Sequence, residues 1–189
     1  MPRPPVLPPV DYKSIWEKGK SYPQWLAAAE SADNAAKMER IRGELTLTES
    51  QRAWLGAIPR IVHVIAFAED WCGDVHRFVP ALEALAGVSM KLLVRYVSRE
   101  EAPEAFKRFL TNGGEAVPKF VFFNENFVEC GNWGPMPDAC RKLIARGKAA
   151  GDVGAARKKT TAICDADAQS HTAIRELMDL IETASCTAP

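Results

Sequence analysis

Residues 61–80, IVHVIAFAEDWCGDVHRFVP, decide how the rest of the chain is read. Ile61, Val62, Val64, Ile65 and Phe67 form a short β-branched apolar run, the pattern of a central strand covered on both faces. Glu69 and Asp70 end it. From Gly73 onward the apolar residues change period: Val75, Phe78, Val79, Leu82, Leu85 and Ala86 recur at spacings of three and four, which suits a helix packed on a sheet. Cys72 therefore falls at a strand-to-helix turn, beside the unpaired N–H groups of a first helical turn. Their dipoles favour a thiolate.

The flanking sequence supplies the remaining elements. Ser21 with Gln24 and Thr48 with Gln51 have capping-box spacing, and residues 33–42 form a helical stretch with Gly43 as its expected stop. Residues 13–58 are thus read as a helical N-terminal extension, preceded over residues 1–12 by a proline-rich arm. The tryptophans of the extension are read as packing residues. Downstream, residues 90–97 read as a strand and residues 103–110 as a helix opened by proline. Thr111-Asn112-Gly113-Gly114 is a turn. Val117-Pro118 precedes KFVFF, which forms a hairpin with residues 127–130 around Asn124-Glu125-Asn126. A helix over residues 138–146 closes a domain assigned to residues 59–148. Residues 147–161, rich in Gly, Ala, Lys and Arg, read as a linker, and residues 149–189 as that linker followed by a C-terminal helix over residues 169–184. The order β-α-β-α-β-β-α gives an α/β fold with a mixed central sheet flanked by helices, since strands joined through a helix run parallel and hairpin strands antiparallel.

Composition bounds the function. The 189 residues carry 24 Lys and Arg against 24 Asp and Glu, with a pI near 6.8, which argues against nucleic acid or an anionic membrane as partner. No apolar run approaches the roughly 18 residues of a membrane span, and the start lacks the pattern of a signal peptide, so a cytoplasmic protein is expected. Five cysteines without a repeating pair do not form a secreted disulfide framework. No phosphate-binding glycine loop or Ser-His-Asp arrangement calls for a cofactor. Cys72 and His76 lack a third and fourth metal ligand, and His63 and His171 read as strand and tail residues.

Trp71-Cys72-Gly73, Pro80 eight residues past the cysteine, and Val117-Pro118 ahead of a strand resemble the thioredoxin superfamily, and the element order agrees. EDWCGD, LTNG, VPKFVFFNEN and WGP are more closely similar to bacterial thioredoxin-like proteins of poorly defined function that carry WCGD and a helical N-terminal extension. The resemblance spans residues 12–148. It implies a thioredoxin-like fold, a cis Pro118 facing Cys72, and a site lined by Trp71, Gly73, Asp74, His76, Val117 and Pro118. Two departures remove the usual dithiol chemistry. The second cysteine of C-x-x-C is Val75 here, and the buried acid that serves it is Ala66.

What remains for Cys72 depends on its thiolate fraction. A helix N-terminus lowers a thiol from about 8.5 to roughly 3.5–7.5 in favourable settings. Asp74 opposes this: at about 5–6 Å it costs ~0.8 to ~3 kcal/mol as the effective dielectric falls from 80 to 20, against roughly 0.3–2 kcal/mol from the helix terminus. A protonated His76 on the same helical face acts the other way. Three readings follow. The first is a single-thiol oxidoreductase or redox sensor, with glutathione, or Cys130, Cys140, Cys164 or Cys186, resolving a mixed disulfide with a protein or peptide thiol. The second is a non-catalytic module that binds a peptide or partner protein at the Cys72/Pro118 groove. The third makes Cys72 structural and places function in the N-terminal helices.

Overall fold

The computed structural model describes residues 8–186, so most of the proline-rich arm lies outside the described residues. Strand β1 (Val62–Phe67) is buried at every position. The cause is its place in the sheet, whose order is β2-β1-β3-β4 with β2 at Leu92–Val97, β3 at Lys119–Phe123 and β4 at Glu129–Trp133. β1 runs parallel to β2 from Val62↔Leu92 to Phe67↔Val97, and β3 is antiparallel to both β1 and β4. The sheet is therefore mixed, as the element order required.

Side chains alternate across this sheet and set which helices cover which face. On one face Phe120 stacks on Trp133 at 5.5 Å, and Trp133 meets Phe78 of α5 (Gly73–Ala86) edge-on at 5.1 Å. Trp133 Nε1 also donates to Glu176 Oε2 at 2.6 Å, which fixes α9 (His171–Cys186) over β4. On the other face Trp16 of α1 (Tyr12–Lys18) meets His63 at 4.8 Å, and Phe67 meets Phe106 of α6 (Pro103–Phe106) at 5.3 Å. Each fully buried aromatic or aliphatic side chain here contributes roughly 1.5–3 kcal/mol.

The N-terminal extension packs through its aromatic residues. Ser21 and Thr48 close capping boxes with Gln24 and Gln51 at the starts of α2 (Tyr22–Ala27) and α4 (Glu49–Gly56). Trp25 stacks on Tyr96 of β2 at 4.7 Å. Helix α3 runs Ala32–Glu44, past Gly43, which has open space around it and stays helical; the helix ends at Leu45, whose backbone is extended. The largest difference from the sequence reading lies at residues 147–161. Helix α7 continues as Asp138–Ala149, and α8 occupies Val153–Ala166, where a linker was expected. Asp152 caps α8 by accepting from the Ala155 N–H at 2.9 Å, while Ala156 and Thr160 form a buried stripe against α7. That stripe is too small in area to stand out from its Lys- and Arg-rich surroundings.

Candidate functional site

Cys72 caps α5 with an extended backbone, φ −85° and ψ 126°, at the point where β1 has ended and the chain turns into the helix. Asp70 holds this turn from two sides. Its Oδ2 accepts from the Ser31 N–H and from Asn34 Nδ2, both at 3.4 Å, tying the turn to α3, and its carbonyl accepts from His76 Nε2. His76 is consequently buried behind the turn instead of lining the site beside Cys72, and its Nδ1 has no partner among the described residues. Across from Cys72, the Val117-Pro118 peptide bond is cis. The Cys72 thiol donates to the Val117 carbonyl at 3.4 Å.

This arrangement opens a cleft of about 560 Å³. One wall carries Trp71, Cys72, Asp74 and Val117 together with Gly114, Glu115 and Ala116. Gly73 stands exposed at the first position of α5 and Pro118 is buried behind Val117, so neither lines the cleft. The other wall comes from α7 and α8 and brings Arg141, Lys148, Arg157, Thr160 and Thr161. These residues sit 69 or more positions from Cys72 in the chain, and no spacing rule links them to it; only the docking of α8 on α7 does. Trp71 is 53 % exposed at the rim, with the Arg99 guanidinium 5.6 Å from its ring. Arg99 also pairs with Glu69 at 3.4 Å and Glu115 at 3.7 Å, bracing the end of β1 against the Val117 loop.

A close packing contact fixes the Val117 loop from behind. Gly134, at φ +117°, lies so near the Pro118 carbonyl that a Cβ there would overlap it. Only glycine fits this part of the WGP stretch. The next peptide bond, Gly134-Pro135, is also cis. Lys119, the first residue of β3, is 3 % exposed and donates to Thr111 Oγ1 at 2.8 Å, Gly134 O at 3.0 Å and Asn132 Oδ1 at 3.4 Å.

The competition at Cys72 resolves upward. Burial pushes the thiol above its ordinary range. The N–H groups of Val75 and Asp74 pull it down, the Asp74 carboxylate adds to burial, and Arg99 opposes it. Burial likewise raises Asp74, partly offset by Arg77. The thiol is thus neutral at physiological pH, in keeping with its donation to the Val117 carbonyl. Among the described residues all five cysteines are free, and Cys72 alone lines the cleft. Cys140 and Cys164 neighbour one another across α7 and α8, where burial raises both, Cys164 to about 12.

The sheet order, the cysteine at the start of α5 and the opposing proline loop define a thioredoxin-like fold. The chain belongs to the thioredoxin family, whose model, described as thioredoxin, matches residues 19–151. Helices α8 and α9 lie beyond that match. A crystal structure of a Pseudomonas aeruginosa protein of unknown function superposes with a TM-score of 0.68 at 18 % identity, covering 92 % of this chain and 98 % of that one. An HIV epitope-scaffold superposes with a TM-score of 0.73, also at 18 % identity and with the same coverages. Both are similar in fold alone. No curated protein matches the chain. Among the described residues no group of three or more His, Cys, Asp or Glu side chains is placed to hold a metal ion, and no helix is long and apolar enough to cross a membrane.

Proposed function

We propose that the protein is a non-catalytic thioredoxin-fold module that binds an extended polypeptide along the Cys72/Val117 cleft. The observation that carries this reading is the Val117 N–H. Val117 is a buried residue of the cleft wall, and among the described residues its N–H has no acceptor. A buried backbone donor without a partner is costly, and an added strand whose carbonyl meets it removes that cost. The neutral thiol supports the same reading, because a thiol that donates to the Val117 carbonyl is a hydrogen-bonding part of the floor and a weak nucleophile.

A second reading, a single-thiol oxidoreductase or redox sensor, is favoured by the Val75 and Asp74 N–H groups and Arg99, which all stabilise a thiolate at Cys72. In that chemistry the Cys72 thiolate attacks a partner disulfide, the partner S–S bond breaks, and one partner sulfur leaves as a thiolate while the other joins Cys72. Glutathione thiolate then attacks the partner sulfur, forming a partner–glutathione disulfide and releasing the Cys72 thiolate, and a second glutathione reduces that disulfide and leaves as oxidised glutathione, so that two glutathiones supply the electrons.

A library of unstructured peptides displayed on phage separates the two. The binding reading expects peptides retained equally by the protein and its Cys72→Ser variant, with the Val117 amide NMR signal moving as they bind. Retention that requires Cys72 and is reversed by reductant contradicts it and supports thiol exchange.

A further inference from the structure

The two walls of the cleft carry opposite charge. Asp74 and Glu115 lie on the Cys72 side, and Glu115 is already paired with Arg99. The α7/α8 side presents Arg141, Lys148 and Arg157. The Arg157 guanidinium has no hydrogen-bond or ion-pair partner among the described residues, and the Lys148 ammonium meets only the Asn112 carbonyl at 3.5 Å. Arg141 also lines a second, adjoining recess of about 330 Å³, whose buried cation is Lys119. Among the described residues, Lys119 donates to three neutral oxygens and to no carboxylate. Asp138, which also lines that recess, is engaged by Lys142 at 2.5 Å and by Arg141 at 3.4 Å. Among the described residues, the side of the cleft facing Val117 thus holds more positive charge than carboxylates neutralise, since Arg157 and Lys148 pair with none and Arg141 shares Asp138 with Lys142.

We infer that the α7/α8 wall is an anion subsite that selects polypeptides carrying an acidic side chain beside the segment paired with Val117. A carboxylate there meets Arg157 and Lys148 at the rim and Arg141 at the junction with the recess, whereas a basic residue at the same position meets three cations. Helix α7 supplies Arg141 and Lys148 of this subsite from within the family match, and α8, beyond the match, adds Arg157.

This inference rests on the peptide-binding reading, and one selection tests both. Peptides are selected from the random library on the intact protein, and the affinity of the tightest is measured by fluorescence anisotropy against its counterparts with each Glu or Asp replaced by Gln or Asn. The expected result is an acidic residue enriched at one position, whose replacement weakens binding about fivefold. That discrimination is lost in Lys148→Glu/Arg157→Glu, in which both changed residues are exposed and leave the core intact. Peptides that bind and move the Val117 amide signal without an acidic preference, or with one that survives in the double variant, overturn the anion subsite and leave the groove reading standing. Failure to retain any peptide overturns both.

Discussion

The two walls of the cleft are built on different principles. The wall of Cys72 and Val117 is part of the central fold: Val117 is buried, the Cys72 turn is tied down by Asp70, and the Val117 loop is wedged against Gly134. It offers one backbone donor and one neutral thiol in fixed positions. The wall of α7 and α8 is a pair of packed helices, with Lys148 and Arg157 exposed and Arg141 half-buried. The first supplies geometry that any extended chain can meet, and the second supplies charge that discriminates between chains. Mutations on the first wall should therefore change the fold, and mutations on the second should change only the ligand.

The largest effect belongs to Gly134. Gly134→Ala places a Cβ against the Pro118 carbonyl at a φ that side chains rarely adopt, and should cost about 3 kcal/mol or more in chemical denaturation, with loss of peptide binding. A variant of native stability would show that the loop is not wedged and that the walls do not differ in the way described.

Lys119 gives the next largest effect. Burial, with Arg141 adding to it, lowers its ammonium to about 8. Below that pH the lysine is charged in both folded and unfolded chains and the full penalty applies. Between about 8 and the ordinary value of 10.5 the unfolded chain holds the proton and the folded chain does not, so stability from this group rises with pH, by up to about 3 kcal/mol. The stability of the protein minus that of Lys119→Met should show this rise across pH 8–10.5. A flat difference would mean that the three neutral oxygens compensate the charge fully.

Smaller effects are expected at the rim. Lys148→Glu/Arg157→Glu should alter stability by less than about 0.5 kcal/mol. Asn34→Ala removes one of two donors to Asp70 and should cost about 1 kcal/mol while raising amide exchange around Cys72. Equal exchange in the variant would detach the N-terminal extension from the site.

The same division governs how much of the molecule was legible in the sequence. The first wall could be read because its signals are local: the β-branched run of β1, the change of period at Gly73, and Val117-Pro118 before β3. So could the capping boxes of α2 and α4, which lie within four residues. His76 was placed on the Cys72 side by helical spacing, but the spacing does not show that the turn folds over it and takes its proton donor at the Asp70 carbonyl. Helix α8 was lost in its charged composition, and with it Arg157 and the packing on α7 that sets Arg141 and Lys148 opposite Cys72. Lys119 read as an ordinary strand residue, since nothing near it in sequence announces that Thr111, Asn132 and Gly134 converge on it.

The most direct measurement is the pH dependence of iodoacetamide alkylation at Cys72, read by peptide mass with Cys72→Ser as control. A buried thiol donating to the Val117 carbonyl should label slowly, with a midpoint above about pH 9, while the protein retains peptides. A midpoint below about pH 7.5 would establish a thiolate at physiological pH, contradict the neutral thiol that supports the binding reading, and favour a single-thiol redox protein.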